Sequence, residues 1–87
     1  MRTYPLLISS PDGDLYRGGA QMLIVRGTEG DLAVMAGHVP FLTAVVPGEC
    51  RVLLENGTVR RGHAAGGLLT VTKDKTILLT RGFSWDE

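Results

Sequence analysis

The side chains best suited to chemistry in this chain are His38, His63 and Cys50. A Cys/His pair could form a nucleophile and its base, and all three together could hold a metal ion. Neither histidine has metal-type spacing, and no glutamate completes an H-E-x-x-H arrangement. Both histidines therefore read as loop or strand-surface residues. Cys50 follows Glu49 and precedes an extended run. Only Arg51 is near it in sequence to lower its pKa, so it reads as a small buried hydrophobe rather than a nucleophile. Arg60-Arg61 falls in a strand-like stretch, where the two side chains point to opposite faces and cannot form one basic patch. Ala65-Gly66-Gly67 lacks both the spacing of a phosphate loop and a following helix, and reads as close backbone packing or a sharp strand change. Asp12 and Asp14 flank Gly13 without the rest of a calcium loop. No catalytic, cofactor-binding or metal-ligating residue is expected from these patterns.

Gly27-Thr28-Glu29-Gly30-Asp31 is a different kind of feature. It sets two carboxylates in a tight polar stretch between two apolar runs. It is either a solvated hairpin tip or a binding tip for a polar or basic partner surface.

The elements that would carry these residues are short and extended. Glycine is 12 of 87 residues and is spread along the whole chain, so any helix longer than two turns would be interrupted. Short apolar and β-branched runs lie between turn signals instead. They are Thr3 to Ser9, Leu15 to Arg26, Leu32 to Met35, Phe41 to Val46, Arg51 to Glu55, Thr58 to Arg61, Leu68 to Thr72 and Thr76 to Thr80. The turns are Pro11 to Asp14, Gly27 to Asp31, Ala36 to Pro40, Pro47-Gly48, Asn56-Gly57, Ala65 to Gly67 and Lys73 to Lys75. Asn56-Gly57 predicts a two-residue hairpin turn of type I′, and Gly18-Gly19 predicts a bulge or break. This rhythm is that of an all-β sandwich or barrel in one domain spanning residues 1–87. Leu6-Leu7-Ile8, Met22 to Val25 and Ile77-Leu78-Leu79 are apolar at consecutive positions. Such strands are covered on both faces, or on one face by a partner.

Composition removes several function classes. Lys+Arg and Asp+Glu are 9 each, so the formal net charge is zero. A nucleic-acid binder needs a basic excess, and a single-strand binder needs exposed aromatics on a basic face. Apolar residues at 44% and charged residues at 21% are ordinary for a folded domain. No apolar run approaches the roughly 18 residues of a membrane span, and Met1 to Ser10 does not read as a signal peptide. The single cysteine suits a reducing, cytoplasmic setting. A domain this small buries only about 60% of its unfolded surface and often leans on a partner.

Val25 to Gly48 closely resembles the N-terminal domain of the epsilon subunit of F-type ATP synthases. The resemblance is carried by Thr28-Glu29-Gly30-Asp31-Leu32, Gly37-His38, Pro40, Leu42, Thr43 and Pro47-Gly48. The opening strand and Ala65-Gly66-Gly67 extend it over essentially the whole chain. Ala33, Ala36 and Ala65 depart from the usual Gly, Pro and Ser, each a change among small residues.

The resemblance implies a flattened β-sandwich of about ten short strands. It implies a non-catalytic subunit of the central rotor stalk, on the cytoplasmic face of the membrane, without a cofactor. Its partners would be the gamma subunit, the proteolipid ring of the membrane sector and, through the stalk, the catalytic head. Thr28, Glu29, Gly30 and Asp31 would face the ring; His38, Val39, Pro40, Leu42 and Thr43 would lie towards gamma. The family usually continues into a C-terminal pair of helices that restrains hydrolysis and in some members binds ATP. This chain stops at Glu87, so both functions are expected to be missing. A free-standing small β binding module is the other reading, and a free-standing enzyme using His38, His63 or Cys50 a further one.

Overall fold

In a computed structural model, residues 2–86 are described. They form nine strands and no helix: β1 (Tyr4–Ser10), β2 (Gly13–Gly27), β3 (Gly30–Met35), β4 (Phe41–Val45), β5 (Gly48–Leu54), β6 (Val59–Ala64), β7 (Gly67–Val71), β8 (Thr76–Thr80) and β9 (Phe83–Trp85). The all-β expectation holds, with nine strands rather than about ten. Their order is β4-β7-β8-β1-β2-β5-β6-β9, with β3 also paired to β2. All pairings are antiparallel except that of β1 with β8.

β2 joins the two layers. Its first half, up to Ala20, pairs with β1, and its second half lies between β3 and β5. The register slips between Ala20 and Met22, at Gln21, and such a bulge lets a long strand bend from one layer into the other. Gln21 is buried there and donates through Nε2 to the carbonyls of Leu54 (2.9 Å) and Glu55 (3.2 Å), which ties the bend to the end of β5. The break expected at Gly18-Gly19 therefore lies two residues past Gly19. Those glycines serve close approach instead: the Tyr16 hydroxyl donates to the Gly19 carbonyl at 2.7 Å, and the Glu55 carboxylate lies over Gly19 where a Cβ would stand.

The core lies between the layers. Leu6, Ile8, Leu69, Val71 and Leu78 come from one side, and Leu23, Val25, Val34, Cys50 and Val52 from the other. The consecutive apolar runs alternate within this plan. Leu6 and Ile8 point in while Leu7 is half-buried outside; Leu78 points in while Leu79 is exposed. Neither strand is covered on both faces, so apolar side chains remain on the outer surfaces.

The hairpin between β5 and β6 lies where Asn56-Gly57 placed it, but its turn is not type I′. That turn needs positive φ at both residues, and only Gly57, at +88°, has it. Gly57 N donates to the Leu54 carbonyl at 3.0 Å and Leu54 N to the Thr58 carbonyl at 2.8 Å. The Asn56 side chain accepts from Thr58 N at 2.9 Å, which favours a longer loop closed by one left-handed glycine. β9 was not among the expected strands. It pairs with β6, and Trp85 fixes it by donating from Nε1 to the Leu15 carbonyl at 3.2 Å.

Candidate docking surfaces

The turn between β2 and β3 is shorter than expected. Gly27 pairs with Gly30, leaving Thr28 and Glu29 exposed at the tip, and Gly30 takes a φ of +123°. Asp31 already belongs to β3, opposite Arg26. Its carboxylate lies 3.3 Å from Arg26 Nε and 3.9 Å from an Arg51 guanidinium nitrogen, and Arg51 Nε lies 3.3 Å from Glu49. Two acids and two bases thus neutralise one another on the outer face. Glu29 has no ion-pair partner among the described residues, so the free negative charge sits at the tip.

The segment from Ala36 to Pro40 is unpaired, held by His38 N donating to the Met35 carbonyl at 3.2 Å. Gly37 takes a φ of +86°. The His38 ring packs tilted on Phe41, 5.0 Å between centroids, and Val39 and Pro40 are exposed beside it. In β4 the period of two separates the remaining candidates. Leu42 faces outward and is 63% exposed, whereas Thr43 is half-buried in line with inward-facing Val45.

Leu42 continues into an apolar patch. Ala44 on β4 is opposite Leu68 on β7, and Leu68 is opposite Leu79 on β8. Leu68 and Leu79 are 41% and 50% exposed, and a groove of about 680 Å³ runs from them past Ser10, Pro47 and Arg81. The other layer carries a second outer row, Met35–Met22–Leu53–Val59 across β3, β2, β5 and β6.

The three residues with chemical potential are kept apart. Cys50 is fully buried, and burial, with a smaller push from the Glu49 charge, raises its thiol to about 12. His63 is exposed, its Nδ1 3.2 Å from an Asp86 carboxylate oxygen. His38 lies in the β3–β4 loop. Among the described residues no three His, Cys, Asp or Glu side chains come together as a metal set. Arg60 and Arg61 do diverge: Arg60 stacks over the Trp85 ring at 3.8 Å while Arg61 is exposed. This clasp escaped the sequence reading, although Phe83-Ser84-Trp85 carried the apolar alternation of a short strand.

Residues 3–86 match the family model described as "ATP synthase, Delta/Epsilon chain, beta-sandwich domain". The chain belongs to this family. The ATP synthase epsilon chain of Acinetobacter baumannii is 41% identical over 71 residues, covering 82% of this chain and 51% of that protein. The sodium-ion-specific ATP synthase epsilon chain of Acetobacterium woodii is 32% identical over 85 residues, covering 98% and 64%. The chain thus spans about half to two-thirds of the length of these epsilon-chain relatives. Among solved structures, a chain of the Euglena gracilis mitochondrial ATP synthase OSCP/F1/c-ring structure has the same fold, with a TM-score of 0.89 at 21% identity over 95% of this chain and 53% of that one. A chain of the Tetrahymena thermophila central stalk/c-ring structure reaches 0.77 at 14%, over 95% and 66%. Of the three departures from the family pattern, Ala33 lies in the regular part of β3 opposite Ile24, where no glycine geometry is needed.

Proposed function

We propose that this domain is a non-catalytic rotor-stalk module of an F-type ATP synthase, peripheral on the cytoplasmic face of the membrane. It would pass rotation of the proteolipid ring to the catalytic head by docking on gamma and on the ring. The observation that carries this reading is the exposed in-register patch of Leu42, Ala44, Leu68 and Leu79, which continues into the His38–Pro40 loop. A joint under torque needs a stable contact, on the order of 1,200 Å² or more, and a contiguous apolar face suits that better than scattered leucines. His38, Val39, Pro40 and Leu42 would meet gamma at its edge. Thr43 would support the strand from beneath. Thr28, Glu29 and Gly30 would meet the ring, with Asp31 holding the base of the turn through Arg26 and Arg51.

The first test is co-purification of the tagged chain with gamma and the catalytic head from its native membranes. The Leu68→Glu/Leu79→Glu variant is expected to lose the stoichiometric complex, because two carboxylates would have to be desolvated at the contact. Both positions are exposed, so the free domain should keep its β circular dichroism. A variant that still co-purifies would move the gamma contact to another face. A wild-type chain that remains partnerless would favour the free-standing binding module.

The ring contact has its own signature. Glu29→Lys is expected to leave assembly intact and to weaken ion pumping driven by ATP, measured in inverted vesicles. Asp31→Asn is expected to cost the domain about 1 kcal/mol or less, since its ion pairs are half-exposed. Normal pumping by Glu29→Lys would remove the turn from the interface.

A further inference from the structure

A cleft of about 440 Å³ opens at the end of the sandwich remote from the Thr28–Glu29 turn. That end follows from the topology: β3 begins at the turn and finishes at Met35, which lines the cleft. Three separate segments build its walls. Arg2 and Tyr4 come from the start of the chain, Gly37 and His38 from the β3–β4 loop, and Thr72, Lys73 and Lys75 from the β7–β8 turn. Among the described residues no carboxylate lines it. Arg17, Arg26 and Arg51 each have an acidic partner, but Arg2, Lys73 and Lys75 have none among the described residues. In a chain of zero formal net charge, three unpaired cations facing one concavity leave a local positive field.

The walls are held in place. The Arg2 guanidinium lies against Gly37, where an added Cβ would stand 3.2 Å from its nearest nitrogen. Thr72 Oγ1 donates to the Lys75 carbonyl at 3.0 Å and accepts from Asp74 N at 3.3 Å and Lys75 N at 3.1 Å. This fixes the backbone from which both lysines project. The Tyr4 hydroxyl is engaged with the Val34 carbonyl at 2.8 Å and closes the inner wall without offering a free donor.

We propose that this cleft binds a small phosphate-bearing anion, with Arg2, Lys73 and Lys75 supplying the charge. A guanidinium can grip two phosphate oxygens at once, and flanking lysines add point charges from the other wall. The concave shape suits a compact multivalent anion better than a flat protein surface. His38 and Pro40 of its rim belong to the loop proposed to meet gamma, but Arg2, Lys73 and Lys75 lie outside every proposed docking contact, so anion binding by the isolated chain is tested separately from docking.

The test uses the full chain, isotopically labelled, and follows its backbone amide resonances during titration with pyrophosphate, inorganic phosphate and, separately, vesicles containing phosphatidylglycerol. Saturable shifts centred on Gly37 and Thr72–Lys75 are expected, with pyrophosphate tighter than phosphate. Lys73→Ala/Lys75→Ala, both exposed and so tolerated by the fold, is expected to weaken binding about tenfold or more. Arg2→Ala should do the same independently. A response to the vesicles and not to the soluble anions would assign the phosphate to a lipid headgroup. No saturable response to any of the three probes, shifts spread equally over the β2–β5 face, or unchanged binding in both variants would overturn the proposal.

Discussion

Gly67→Ala is expected to leave the domain largely unfolded at temperatures where the wild type is folded. Gly67 sits where β7 passes between β4 and β8, opposite Val45 on one side and Thr80 on the other. A Cβ there would stand 1.9 Å from the Leu79 carbonyl oxygen, 2.8 Å from Thr80 Cα and 2.9 Å from the Leu79 carbonyl carbon. All three are backbone, so no rotamer change relieves the clash and β8 must move away. Gly48 is a milder case, because its closest contact, Arg26 Cβ, would stand at 2.9 Å rather than 1.9 Å. Forcing two strands apart costs about 3 kcal/mol or more. A domain of this size has roughly 4–13 kcal/mol of stability in all. The expected fall in melting temperature is about 15 °C or more. Gly82→Ala is the control, since its nearest atom would be Ala65 Cβ at 3.8 Å, and it should melt within a few degrees of wild type. Equal melting of the two variants by circular dichroism would refute the close-approach argument. The consequence reaches the proposed docking surface, because Leu68 and Leu79 owe their place in the outer patch to this strand spacing.

What the sequence disclosed depended on how local each feature is. β1, β3, β4, β7 and β8 were legible because turn residues bracket their apolar runs, and the Asn56-Gly57 hairpin was legible for the same reason. Its turn type was not, since the Asn56 side chain chose to cap Thr58. Gly18-Gly19 misled because a glycine in a strand can mean a bulge or a close neighbour, and the neighbour, Glu55, comes from the far end of β5. The three-residue β9 exists only because Gly62 leaves room opposite: a Cβ there would meet the Ser84 carbonyl at 2.6 Å and the Phe83 ring at 2.7 Å. The candidate docking residues divide in the same way. The exposed tip at Thr28 and Glu29 could be read from its polarity. That Asp31 is bound up with Arg26 and Arg51 required the register of three strands. Thr43 was readable in principle, because the period of two places it with Phe41 and Val45. The cationic cleft was not, since its charges lie at opposite ends of the sequence.

The second large effect is alkaline destabilisation centred on Cys50. Its thiol would titrate at 9.0 in the open chain and is raised to about 12 in the fold by burial and then by the Glu49 charge. Between those values the unfolded chain gives up its proton and the folded chain keeps it. The unfolded state then binds fewer protons, so stability is complete below about pH 9 and falls as pH rises towards 12, by roughly 1.4 kcal/mol per pH unit. Tyr4 adds to this above its ordinary value of 10.0, because burial and the nearby thiol also raise its pKa, against the opposing effect of the Leu23 backbone hydrogen bond. Thermal melts from pH 8 to 11 should therefore steepen in wild type. Cys50→Ala is expected to start less stable, from the lost packing, and to decline less steeply between pH 9 and 10, before Tyr4 contributes. A thiol-specific chromogenic reagent supplies the independent readout: at pH 8 the folded chain should react far more slowly than the chain in denaturant. Parallel stability curves for wild type and Cys50→Ala, together with rapid labelling of the folded chain, would mean that Cys50 is reached by solvent and that the two layers open at β5 more readily than their packing implies.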